Sequence, residues 1–218
     1  MTLITILKSD LDIIEYQLQR QSIRFLGVAR RCRFANPLII TQDPFFTRGQ
    51  IFPTFYYLTC PRLVKVISRL ESSDFFKKFK RSVYTGGELN SKYLELIKIY
   101  QNLLAGYIDS LYSADQQGFL ISNYSLLIKD TGPSSGEQNY ADNIVKDEKK
   151  VPFEMRSGLL KRGLAGSENI NAVKCLHALY SFLLSFKDVD KAGPVAFFLE
   201  MITAEARSMF PEEFADIL

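Results

Sequence analysis

The chain is poor in the side chains that make strong chemistry: three cysteines and a single histidine are its whole stock of sulfur nucleophile and imidazole. So few cysteines, and an odd number, exclude a disulfide framework and fit a reducing compartment. No two of them stand in the C-x-x-C spacing of a zinc knuckle. Long hydrophobic runs are also missing, since none approaches the roughly 18 consecutive apolar residues that cross a bilayer. The opening stretch, MTLITILKSDLDIIEYQLQR, has neither a basic leader region nor a small-residue cleavage site. A cytoplasmic protein without membrane contact is expected. We find no internal repeat.

What is present is an ordinary globular composition, 47% hydrophobic and 23% charged over 218 residues. That is enough apolar material for one sizeable core, so a single domain over residues 1–218 is the expectation. The net charge is only +3 but unevenly spread: residues 20–81 hold 13 Lys and Arg against Asp43, Glu71 and Asp74. Regional positive charge attracts phosphates, nucleic acid or acidic partners, and its bland alternative is a solvated basic face.

The pattern along the chain predicts an α+β fold, a small antiparallel sheet in the N-terminal half packed with about five helices. Leu11, Ile14 and Leu18 recur at helical spacing after Ser9 and Asp10, giving a first helix to about Gln21. Two or three strands are expected between Leu26 and Leu58, with turns at Asp43-Pro44 and Arg48-Gly49. Thr59-Cys60-Pro61 then opens a helix, because proline suits the first helical position and Leu63, Val66, Ile67 and Leu70 follow on one face. A basic helical piece from Asp74 to about Val83 is broken by Gly86-Gly87. A long helix follows, marked by Leu94, Ile97, Tyr100, Leu104, Tyr107 and Leu111. Phe119 to Ile128 reads as a strand, and residues 130–152 as a polar loop or insertion. Helices over about Asn171–Phe186 and Pro194–Ser208 and a short turn holding Phe214 close the chain.

Cys32, Cys60, Cys175 and His177 are the candidate site residues, in the segments ARRCRF, YYLTCPRL and AVKCLHAL. Taken singly, a buried cysteine acting as a small hydrophobe and a histidine satisfied in the core are the plain readings. Position argues otherwise for Cys60, because a thiol at a helix N-cap faces unpaired backbone N–H groups that favour thiolate. Cys32 is bracketed by Arg30, Arg31 and Arg33. Cys175 and His177 are two residues apart, which on a regular helix directs them about 200° away from each other. Either the pair lies at a helix's first turn, where the backbone bends, or His177 acts apart from Cys175.

Three blocks then carry a resemblance: GVARRC from Gly27 to Cys32, FPTFYYLTCPRLVKVISRLES from Phe52 to Ser72, and VKCLHALY from Val173 to Tyr180. With the first helix containing Glu15, Gln17 and Leu18, they resemble the bacterial family catalogued as domain of unknown function 501. In that family the cysteines and the histidine belong to the signature blocks. The resemblance therefore implies that Cys32, Cys60, Cys175 and His177 come together in the fold, and it implies no established activity. This chain departs from the pattern at Arg33, where proline is usual. The closing Asn-Pro-Val/Ile-Gly block also stands here as Ala192-Gly193-Pro194-Val195-Ala196.

Three classes of function follow. The leading expectation is a metal centre on Cys32, Cys60 and Cys175, completed by His177 or water. It would be an iron–sulfur cluster or a zinc ion, with Arg30, Arg31, Arg62 and Lys174 holding a phosphate-bearing or nucleotide substrate. A second class makes Cys60 a nucleophile and His177 its general base, oriented by Asp43, Glu168 or Asn171. A third is a non-enzymatic module that binds RNA or an acidic partner through Arg20 to Arg81, with Phe52, Phe55, Tyr56 and Tyr57 for stacking. Oligomeric state has no signature in the sequence.

Overall fold

A computed structural model of the chain describes residues 7–20, 25–42, 44, 52, 54–111 and 153–214. Within them the expected α+β architecture is found, a three-stranded antiparallel sheet in the N-terminal half with eight α-helices. The expected strand at Phe119–Ile128, the 130–152 segment and the Arg48-Gly49 turn lie outside the described residues. Among the described residues, no helix is long and apolar enough to cross a membrane.

The sheet has the order β1 (Gly27–Arg31), β2 (Pro37–Thr41), β3 (Tyr56–Leu58). Every residue of β2 is buried, because the central strand is covered on both faces. On one face Val28 and Ile40 pack with Ile14 and Phe25 beneath α1 (Lys8–Leu18). On the other, Ile39, Tyr56 and Leu58 join the main core with Phe182 and Phe186. Alternation along the pleat sorts these residues, as Val28 pairs with Ile40 while Ile39 pairs with Leu58. Two register shifts between Val28 and Arg31 bulge β1, and bulges re-aim side chains. Here Arg30 reaches Asp188 at 2.5 Å, whereas Arg31 turns to Asp10 on α1. A tight turn joins β1 to β2: Ala35 N–H donates to the Cys32 carbonyl and Cys32 N–H to that of Asn36, both at 2.9 Å. Ala35 takes the left-handed conformation this loop requires, with φ 63°.

Helix α2 (Pro61–Glu71) begins where the sequence places it, with Cys60 at the N-cap in extended backbone and Pro61 at the first helical position. Its buried residues are Leu63, Val66, Ile67 and Leu70, the four read from the periodicity. After it, α3 (Asp74–Tyr84) ends at Gly86 and Gly87, whose φ values of 92° and 87° suit glycine. Helix α4 (Glu88–Leu111) buries Tyr93, Leu96, Ile97, Tyr100 and Leu104. That face is turned slightly from the expected one, since Leu94 is only half-buried.

The C-terminal part consists of α5 (Phe153–Leu160), α6 (Leu176–Phe186), α7 (Pro194–Met209) and α8 (Pro211–Phe214). Two corrections belong here. Eight helices stand where about five were expected, the short α5 and α8 among them. The helix expected from Asn171 begins only at Leu176, so Val173 is buried from non-helical chain. Helix α6 is buried almost all round, from Leu176 to Phe186, and packs against α2, α7, β1 and β3. One apolar cluster runs from Leu26 to Phe214 and takes in residues of β2, β3 and most of the helices.

Candidate functional site

The cysteines and the histidine meet in two places. Cys60 caps α2 and Cys32 opens the β1–β2 turn; both line one cavity of about 480 Å³ with Asp12, Ile13, Tyr16, Gln17, Phe34, Asn36, Pro37, Pro61 and Arg62. The chain path explains the pairing. Cys32 N–H bonds to the Asn36 carbonyl on one side of β2, and the Thr59 hydroxyl bonds to the Pro37 carbonyl at 3.2 Å on the other. Cys175 and His177 do not line that cavity.

They sit instead against the far end of α2. Cys175 is the N-cap of α6 in extended backbone, φ −146° and ψ 127°, and His177 is the second residue of the helix. Of the two geometries open to the Cys175-Leu176-His177 triplet, this is the first-turn one: the bend at the cap brings the Cys175 sulfur to 3.9 Å from His177 Nδ1. The same nitrogen lies 3.1 Å from Glu71 Oε2, at the last residue of α2. Glu71, Cys175 and His177 thus offer a carboxylate oxygen, a sulfur and an imidazole nitrogen, all within 4.8 Å of one another.

The imidazole is held at its other edge too. Nε2 is 3.0 Å from the Ser68 hydroxyl and 3.3 Å from the Val64 carbonyl. Val64, Ser68 and Glu71 recur at i, i+4 and i+7, so a single stripe of α2 cradles the ring. Glu71 has a further partner, because its Oε1 accepts the Leu176 N–H at 2.6 Å. A carboxylate at that position satisfies an unpaired donor at the start of α6 and faces the positive end of the helix. The His177 and Glu71 side chains are 25% and 28% exposed, so the group is reachable from solvent. Burial pushes the Cys175 thiol above its ordinary pKa; the neighbouring Glu71 carboxylate adds to this, while the Ala178 and His177 backbone N–H groups oppose it.

Residues 28–113 match the family described as Protein of unknown function (DUF501). This stretch is similar to that family. The resemblance read from the sequence blocks is borne out over it. Neither a curated protein nor a solved structure matches the chain. The DUF501 stretch runs from β1 through α4 and supplies Cys32, Cys60, Ser68 and Glu71, whereas Cys175 and His177 are brought to it by α6.

The other sequence-derived residues fall as follows. Arg62 lines the cavity, but Arg30 is paired with Asp188, Arg31 is engaged by the buried Asp10, and Lys174 is exposed on the chain leading to α6. Of the four, Arg62 alone is in the lining of that cavity. His177 is oriented by Glu71, not by the residues proposed for that role: Glu168 pairs with Arg162, Asn171 accepts from Asn90, and Asp43 is outside the described residues. Phe55 and Tyr56, considered as stacking platforms, are 3% exposed and belong to the core. Glu71 and Ser68 were the residues missed. Their one signal was the i, i+3 spacing that places both polar side chains on one face of α2.

Proposed function

We propose that Glu71, Cys175 and His177 form a binding centre for a zinc-class divalent ion, and that the protein's chemistry is carried there. The observation behind this reading is the convergence of three different donor types on one point from the ends of two helices. Zinc accepts sulfur, imidazole and carboxylate ligands, at about 2.3, 2.0 and 2.0 Å. A tetrahedral ion so ligated sets its donors roughly 3.3–3.6 Å apart. The observed separations of 3.1 and 3.9 Å bracket that range. The Val64 carbonyl and the Ser68 hydroxyl fit the outer shell of such a site, since a ligating histidine holds its second N–H on an acceptor. Three protein donors leave a fourth position for water or substrate, the arrangement of a catalytic rather than a closed structural zinc. An iron–sulfur cluster is less well served. It needs several thiolates around one centre, whereas this group holds one thiol and the other two lie on the cavity wall.

The test uses the chain's own economy. His177 is the only histidine, so its ring resonances in an NMR spectrum are unambiguous. Zinc titrated into metal-free protein shifts them stoichiometrically, and Glu71→Gln weakens that binding while its amide oxygen still caps α6. Unchanged His177 resonances at saturating zinc would overturn the proposal.

A second reading rests on the same ring. Ser68, His177 and Glu71 stand in the order of nucleophile, base and orienting carboxylate, with bonds of 3.0 and 3.1 Å. Labelling of Ser68 by a fluorophosphonate, abolished in His177→Ala, would favour it over the metal.

A further inference from the structure

The cavity between the C-terminal half of α1 and the start of α2 is a separate site, with walls unlike those of the Glu71 cluster. Its volume of about 480 Å³ falls within the range usual for pockets that bury a small ligand. Most of the lining is apolar: Ile13, Tyr16, Phe34, Pro37 and Pro61, with the two thiols. Tyr16 and Phe34 are exposed to 76% and 62%, large side chains that solvent alone does not reward. The wall is tied together, since Gln17 on α1 donates from Nε2 to the Pro37 carbonyl of β2 at 3.0 Å.

The lining carries one cation and one carboxylate. Arg62 lines it, and the Arg33 guanidinium lies over the Phe34 ring at 4.6 Å. Asp12 is the single carboxylate in the lining. An occupant with an apolar body and an anionic head matches the apolar wall and the exposed Arg62 guanidinium. We infer that this cavity binds a small amphiphilic anion, its apolar part against Ile13, Tyr16, Phe34 and Pro37 and its carboxylate or phosphate on Arg62. The inference does not depend on the metal reading, because no residue is shared between the two sites.

The three cysteines supply the assay. Cys32 and Cys60 stand in the cavity wall and Cys175 stands outside it, so one protein carries two reporters and an internal control. The full chain is alkylated with iodoacetamide, and the rate at each cysteine is read by peptide mass spectrometry in decanoate, decyl phosphate or decanol. Decanoate or decyl phosphate slows Cys32 and Cys60 and leaves Cys175 unchanged; the anion that does so at the lower concentration identifies the head group. Arg62→Gln, an exposed position, weakens protection by the anions about tenfold, the usual loss for one charge-assisted hydrogen bond. It leaves the weaker protection by decanol as it was. Equal slowing at all three cysteines, no slowing at Cys32 and Cys60, or anion protection indifferent to Arg62→Gln overturns the assignment.

Discussion

Replacing Asp10 by alanine is expected to cost the protein several kcal/mol and to show that Arg31 serves the fold rather than a substrate. The Asp10 side chain is 0% exposed and that of Arg31 16%. The pair is bidentate, Arg31 Nη1 on Oδ1 and Nη2 on Oδ2, each at 2.7 Å, and the Leu7 N–H gives Oδ2 a further bond at 2.7 Å. Hydrogen bonding to Asp10 raises the Arg31 pKa further, so the guanidinium has no means of shedding its charge once its partner is gone. Removing one member of a buried ion pair costs about 3–5 kcal/mol, because the other charge loses its counter-ion while still largely out of water; Arg31 keeps its bond to the Ala35 carbonyl at 2.9 Å, which sets this change toward the lower end of that range. With a urea dependence of about 2–3 kcal/mol per molar, the unfolding midpoint falls by about 1–2 M. Urea titrations followed by far-UV circular dichroism measure this. The double replacement Asp10→Leu with Arg31→Met recovers most of the loss, since apolar groups of similar volume replace such pairs at little cost. A midpoint for Asp10→Ala within about 0.3 M of the parent refutes the reasoning. Arg31 would then be available to an anion.

The Cys175 proton gives a pH dependence for zinc. Burial and the Glu71 carboxylate hold that thiol protonated, so zinc must displace a proton, and its affinity rises about tenfold per pH unit below the thiol pKa. Competition with a chromophoric chelator at several pH values checks this; a flat profile excludes thiolate ligation. Ala35→Gly is expected to stabilise the β1–β2 turn by about 1 kcal/mol, as alanine bears a steric cost at φ 63°. Thermal unfolding gives the sign, and a lowered midpoint contradicts it. At high pH the buried tyrosines become a liability. Burial pushes Tyr180 from 10.0 up to about 12 and raises Tyr56, Tyr93 and Tyr100 in the same direction. Their contribution is complete below pH 10 and is lost as pH rises above it, for Tyr180 by about 12, as the unfolded chain releases protons that the folded chain retains. Tyrosinate absorbance should therefore grow in step with the loss of circular dichroism. Ionisation of all 11 tyrosines in a folded protein contradicts this.

Legibility followed the range of the forces involved. Helix α2 could be read almost to the residue because its start is local chemistry, a proline after a cap, and its buried face is a local period. The three strands were legible for the same reason. The delayed start of α6 was not: Val173 and Leu176 fit a helical period, yet the chain between them is extended, and what ends that extension is Glu71, distant in sequence, taking the Leu176 N–H. The site divides along the same line. The sequence marked Cys175 and His177 as unusual and framed their first-turn geometry. Glu71 entered only as one acid in a charge count, because its partner lies across a helix–helix contact that no spacing encodes. The basic residues misled in the same way, since Arg30 and Arg31 read as free charges until the fold supplied Asp188 and Asp10.

Helix α2 has Cys60 at one extremity and Glu71 at the other, an axial span of roughly 16 Å at 1.5 Å per residue. A segment this short and this densely hydrogen-bonded behaves as a stiff rod between the two regions. A substitution such as Ile67→Ala, made at its middle to probe packing, would therefore tilt both extremities together. Changes made at either extremity itself, Arg62→Gln or Glu71→Gln, are the ones that let each region be questioned alone.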